Sequence, residues 1–195
     1  MRNLKIPMME PYKLFMIMLG CKPAGRHTEQ HDIFFTVSKN LKETVPGILD
    51  FWPEAKEKIH IDAWREVTEV NGYRIEIVEK SRAEEQLQKL FFINLGGYKQ
   101  GEFDEPHYKM VVVAPNLADA TRQAKESAFY RHTGFSGATS HIDDKYGVDV
   151  DDIFEIMDIL PKDIKEVYRL RITKAPELPA DEIHLGYFPL GKIKA

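Results

Sequence analysis

Short apolar runs, each stopped by glycine or by a polar cluster, set the pattern of this chain. Leu14 to Leu19 is continuous and ends at Gly20; the matching stretch Leu90 to Leu95, broken only by Asn94, ends at Gly96. Runs of that length flanked by glycine predict fully buried strands. A loop follows each run and carries Gly25 or Gly101, residues suited to a positive φ. The β-rich stretches HDIFFTV (His31 to Val37) and HYKMVVV (His107 to Val113) then predict a second strand in each place.

Helical spacing comes next. Asn40 with Glu43, and Asn116 with Asp119, predict N-caps in which the Asn oxygen accepts from an orphan first-turn amide. Leu117, Ala120, Thr121, Ala124 and Ala128 share one helical face, and Leu41, Thr44, Val45, Ile48 and Trp52 are their counterparts. Pro46 would cost a helix interior ~3 kcal/mol, so the first helix is expected to be the less regular. Third strands are expected over Trp64 to Val70 and Ile153 to Leu160, and fourth strands over Tyr73 to Ile77 and Tyr168 to Ile172. Val70-Asn71-Gly72-Tyr73 carries a tight hairpin turn. Ile183 to Phe188 is a last candidate strand.

The same pattern is written twice. KLFMIMLGCKPAGRHTEQH (13–31) and KLFFINLGGYKQGEFDEPH (89–107) share nine of nineteen residues without a gap. Such self-similarity implies one supersecondary unit used twice. The expected fold is α+β: an internal duplication of a β-β-α-β-β unit, pseudo-twofold, with mostly antiparallel sheets and two main helices. Residues 1–12 form an N-terminal extension, 13–79 repeat 1, 80–88 a charged linker, 89–174 repeat 2 and 175–195 a C-terminal tail. A Gly- and Asp-rich stretch from Thr133 to Asp152 is expected as a longer loop in repeat 2.

Composition narrows the function classes. The chain is 43% hydrophobic and 30% charged with a formal net charge of -4, and its charges are scattered. No basic stripe announces nucleic acid or an anionic membrane. No run reaches the ~18 apolar residues of a membrane span. Cys21 is the single cysteine, which excludes an internal disulfide and suits a reducing cytoplasm. Met18-Leu19-Gly20-Cys21 looks like a lipoprotein cleavage box, but its recurrence inside the chain at Leu95-Gly96-Gly97 reads as a strand end.

Two short motifs could carry chemistry. E-x-H opens the second strand and H-x-D follows the helix, and residues two apart in an extended chain point the same way. The candidate ligand-binding residues are therefore Glu29, His31, His60 and Asp62, and again Glu105, His107, His141 and Asp143. Imidazole with carboxylate is the donor set for a divalent metal or an acid–base pair. The competing structural role is to satisfy loop amides and cap the next turn. Cys21 with His27 or His31 would be a nucleophile pair, but Gly97 stands at the matching position, and a buried packing thiol fits free cysteine better.

LFMIMLG, Glu29-Gln30-His31-Asp32, His60-Ile61-Asp62 and Asn71-Gly72-Tyr73-Arg74-Ile75 resemble a bacterial domain-of-unknown-function family, number 1543. LFFINLGG, Glu105-Pro106-His107, His141-Ile142-Asp143-Asp144 and His184-Leu185-Gly186-Tyr187 extend the likeness. Tyr108 departs from it, standing where repeat 1 has Asp32. The resemblance implies a small bacterial protein and supplies no chemistry. The expected function is binding of a small ligand or a protein partner at the groove where the repeats meet. The alternative is a hydrolase or isomerase using the His/carboxylate groups, with a divalent metal at the same residues. No other cofactor, no nucleic acid and no membrane is expected, and the chain is expected to be a cytoplasmic monomer or homodimer.

Overall fold

The computed structural model describes residues 11–96, 103, 105, 107–132 and 149–193. The strands are β1 (Lys13–Cys21), β2 (Gln30–Ser38), β3 (His60–Glu66), β4 (Glu69–Val70), β5 (Tyr73–Glu79), β6 (Lys89–Gly96), β7 (His107–Ala114), β8 (Asp149–Glu155), β9 (Tyr168–Lys174) and β10 (His184–Pro189). The helices are α1 (Val45–Phe51), α2 (Leu117–His132), α3 (Ile156–Ile159) and α4 (Lys162–Val167). This is a mixed α+β fold, and every strand pair among the described residues is antiparallel. The strands form three sheets, ordered β10-β3-β1-β2, β7-β6-β8 and β4-β5-β9.

The apolar runs fall at the sheet centres because both faces of β1 and β6 are covered. Phe15, Ile17, Leu19 and Cys21 pack with Ile48 of α1. Phe91, Ile93 and Leu95 pack with Ala120 and Ala124 of α2. The opposite faces meet in a central core, where Leu14, Phe35 and Val37 join Leu90, Phe92, Val111 and Val113. Ile75 and Ile172 close that core from the third sheet. Each such fully buried side chain contributes about 1.5–3 kcal/mol. The third sheet depends on β5 and β9, which pair from Tyr73↔Lys174 to Glu79↔Tyr168.

The caps form as their residues predict. Asn40 Oδ1 accepts from the Glu43 amide at 3.1 Å and Asn116 Oδ1 from the Asp119 amide at 2.9 Å. Pro46 is tolerated because it sits in the first turn of α1, after a 3-10 turn at Leu41–Thr44, where its missing N–H leaves no bond unmade. The hairpin turn uses Asn71 at φ 55 and Gly72 at φ 78, and Glu69 Oε1 accepts from the Gly72 amide at 2.6 Å.

Two expected strands are displaced. The third strand of the first half runs over His60–Glu66 and not Trp64 to Val70, since H-x-D opens the strand instead of preceding it. In the second half the strand is Asp149–Glu155, and Ile156–Ile159 turns into a short helix. Asp149 to Asp152, expected within the long loop, are strand instead, because pairing with β6 holds an acidic segment extended against its weak β-propensity; the rest of the expected loop lies outside the described residues.

Candidate metal and ligand site

A β-bulge builds the first site. Met18 of β1 pairs with Ala63 and Leu19 with Ile61, so Asp62 is an extra residue without a partner on β1. A bulge of this kind re-aims a side chain. Gly20 pairs with His60 on one side and with His31 on the other. Glu29 lies just before β2. Four polar groups from two chain segments, one on each side of β1, thus gather at one strand end.

Their atoms interleave. His60 Nε2 lies 3.1 Å from Glu29 Oε1 and 3.2 Å from Asp62 Oδ1. His31 Nε2 lies 3.3 Å from Asp62 Oδ2 and 3.8 Å from Glu29 Oε2. His60 is buried, while the side chains of His31 and Glu29 are 40% and 42% exposed, so the cluster is open on one side. Gly20 makes room for it: a Cβ there would collide with Asp62 Oδ2 and stand 2.6 Å from His60 Nε2.

The hydrogen bonds set the chemistry. His60 Nδ1 lies 3.3 Å from the Lys58 carbonyl, which can only accept, so Nδ1 carries a proton there. On the neutral ring Nε2 then presents a lone pair to two carboxylates. A divalent cation seated among these groups would meet both carboxylates and the ring nitrogen. A ligating histidine that donates its other N–H to a backbone carbonyl is the usual support for a metal site. Asp62 Oδ2 is buried and has no hydrogen-bond partner; His31 Nε2 is close enough for charge attraction but is not aligned to donate.

The β6–β8 pair has the same construction. Asn94 pairs with Asp152 and Leu95 with Val150, so Asp151 is the extra residue and Asp149 lies opposite Gly96. A Cβ on Gly96 would collide with Asp151 Oδ2. His107 Nε2 lies 3.0 Å from that same oxygen. Glu105, His107 and Asp151 each bring a ligand atom to within 4.8 Å of the others. The sequence pointed here to His141 and Asp143, which lie outside the described residues. In the register of the strands it is Asp151 that stands where Asp62 stands and Asp149 where His60 stands. The D-V-D spacing of 149–151 was the available signal.

A groove of about 480 Å³ opens on the same face of the four-stranded sheet. Met16, Met18 and Ile33 give it apolar lining, and Arg65, Glu69, Asp181 and Lys109 of β7 its charged lining. Arg65 pairs with Met16 across β1–β3 and so shares that face. Asp181 arrives from the segment before β10, its side chain 2% exposed. Its carboxylate accepts from Thr68 Oγ1 at 2.6 Å and from the amides of Thr68 and Glu69 at 3.1 Å. Arg65 Nη1 is 3.9 Å from Asp181 Oδ2. Burial pushes the guanidinium below its ordinary range, and the Asp181 and Glu69 carboxylates oppose that shift.

Strand β10 finishes the site's outer edge. Leu185 pairs with Ala63 and Phe188 with Ile61, so Gly186 and Tyr187 bulge opposite Asp62. Gly186 supports this with φ 144. The bulge brings the Tyr187 ring to 4.3 Å from the His60 ring. Cys21 takes no part: its thiol is fully buried and points at the Ala55 carbonyl at 3.6 Å. Burial pushes that thiol up from its ordinary value, the reverse of nucleophile activation.

The molecule is thus a largely antiparallel α+β protein that carries an imidazole–carboxylate cluster at a strand end. Residues 26–77 match the model of the family described as Domain of Unknown Function (DUF1543), so the family likeness read from the sequence is shown over the segment that holds Glu29, His31, His60 and Asp62. A solved structure, of protein Il1583 from Idiomarina loihiensis, is 25% identical and covers 92% of this chain and 98% of its own, with a TM-score of 0.61. No curated protein matches the chain. Among the described residues no helix is long and apolar enough to cross a membrane.

Proposed function

We propose that the protein binds a small ligand in the groove between its sheets and a divalent metal at its His/carboxylate clusters, at Glu29, His31, His60 and Asp62 and at Glu105, His107 and Asp151. The observation that carries this reading is the convergence of two Nε2 atoms on two carboxylates, at 3.1–3.8 Å. Two imidazoles with two carboxylates suit a borderline ion such as zinc, iron or manganese. The ion would supply a polarising centre; the chain's own residues fix its ligands through the Asp62 bulge, the Lys58 carbonyl and the space at Gly20.

The test is calorimetric titration of EDTA-treated protein with zinc or manganese. Micromolar binding is expected, with loss of at least tenfold in affinity in His60→Ala and His31→Ala. Heat no greater than buffer dilution in wild type would remove the metal. A second reading, metal-assisted hydrolysis or isomerisation, is favoured by the exposed side of the cluster, which leaves room for a substrate atom.

We also propose that the two halves descend from one doubled β-β-α-β-β unit with pseudo-twofold symmetry. Support comes from the nine shared residues of 13–31 and 89–107 and from the matching bulges at Asp62 and Asp151. The family likeness implies a bacterial protein; the single buried cysteine suits a reducing cytoplasm and the low net charge suits a chain without nucleic-acid or anionic-membrane partners, and the assembly is taken as monomer or homodimer. Sedimentation in low and high salt tests the assembly, and a concentration-dependent oligomer larger than a dimer would overturn it.

A further inference from the structure

We infer that the groove takes a small organic carboxylate with an apolar body, anchored by Arg65. This deepens the groove reading above by naming the ligand's class, and it does not depend on the metal.

Arg65 is the reason. Its side chain is 22% exposed, yet among the described residues its nearest partner is the Asp181 carboxylate at 3.9 Å, beyond hydrogen-bond reach. Asp181 is already engaged, since its oxygens accept from the Thr68 hydroxyl and the Thr68 and Glu69 amides. A guanidinium has five donors in a fixed planar fork and stays charged in proteins. The Arg65 side chain stays partly open to solvent, so these donors are hydrated in the free protein and remain available to an incoming acceptor. The groove is where one can arrive, because Arg65 lines it. A carboxylate matches the fork with two parallel bonds.

The remaining walls define the rest of the ligand. Met16, Met18 and Ile33 line the groove and offer adaptable apolar contact. Lys109 also lines the groove as an exposed second cation. A neutral apolar molecule would leave the guanidinium without an anion; Asp181 and Glu69 also line the groove but already accept hydrogen bonds, from the Thr68 hydroxyl and Glu69 amide and from the Gly72 amide, which leaves Arg65 as the group open to a ligand. A volume of about 480 Å³ suits a small molecule and excludes a folded peptide. Met16, Met18 and Gly20 alternate along one face of β1, so the cluster at Gly20 lies about 13 Å from the Arg65 level.

The test uses EDTA-treated full-length protein with ¹³C-methyl methionine, and sodium octanoate as the probe. Met16 and Met18 methyl resonances, assigned by Met→Leu substitution, should shift saturably with octanoate. Octanol at equal concentration should bind at least tenfold more weakly. Arg65→Gln should weaken octanoate at least tenfold and Arg65→Lys less. The octanoate–octanol comparison needs no variant, so it decides the matter even if Arg65→Gln unfolds. Equal binding of octanol, unchanged binding in folded Arg65→Gln, or no methyl shift at all would overturn the proposal. Tighter binding of octyl phosphate than of octanoate would overturn the carboxylate assignment. Shifts that appear only after zinc is added would put the anion on the metal, overturning this inference while upholding the metal site. Octanoate binding without any zinc binding would do the reverse.

Discussion

Gly20→Ala isolates the cluster better than removal of a ligand. Gly20 lies within β1 and its backbone is not left-handed, so alanine meets no conformational strain there. What alanine adds is a methyl that collides with Asp62 Oδ2 and sits 2.6 Å from His60 Nε2. Both are side-chain ends, and both can move aside. The fold should therefore lose little, within the roughly 1–3 kcal/mol typical of overpacking. The displaced atoms, however, are two of the four groups proposed as ligands. If both leave their positions, metal affinity should fall at least 100-fold, or about 2.8 kcal/mol. Calorimetry with zinc, run beside a thermal melt, separates the two effects. Gly96→Ala is the control, since its methyl would meet Asp151 instead. Wild-type zinc affinity in a Gly20→Ala protein that melts normally would refute the idea that the space at Gly20 serves the cluster.

Asp181→Ala should cost about 2 kcal/mol, because it strips a buried acceptor from the Thr68 and Glu69 donors, and a melt should fall by about 4–8 °C. The Tyr168 phenol is pushed up to about 12, first by burial and then by Tyr12. Since its folded value lies above the unfolded one, its contribution to stability is whole below about pH 10 and is lost as pH rises toward 12. Absorbance titration at alkaline pH should show one late tyrosine, shifted earlier by Tyr12→Phe. Cys21 should stay unmodified by a thiol reagent in native protein and react at once in denaturant, its thiol being fully buried.

The strands that the sequence made plain are those whose surroundings are uniformly apolar. β1 and β6 are covered on both faces, so their runs need no context. The Asn caps were equally legible, because a cap is a local bond. β3 and β8 were misplaced because each contains a bulge, and an extra residue breaks the period of two on which strand reading depends. β8 is also acidic, and only its partner β6 makes it a strand. Glu29, His31, His60 and Asp62 could be chosen by spacing, yet their convergence depends on a three-strand register that spacing does not encode. Matching letters drew attention to His141 and Asp143, whereas register brings Asp151 forward. Arg65 and Asp181 left no mark in the sequence, since an unmet donor is a property of the packed molecule.

The β5–β9 seam also governs how the molecule forms. Tyr73 must find Lys174, and Glu79 must find Tyr168, across about half the length of the chain. Local hairpins can zip early, but this pairing carries a loop-closure cost that nearby contacts do not repay. Folding should therefore be slow for the chain's size, in the millisecond-to-second range of non-local β topologies. Until that step β5 shows one bare edge, the moment at which a newly made chain is most exposed to wrong association.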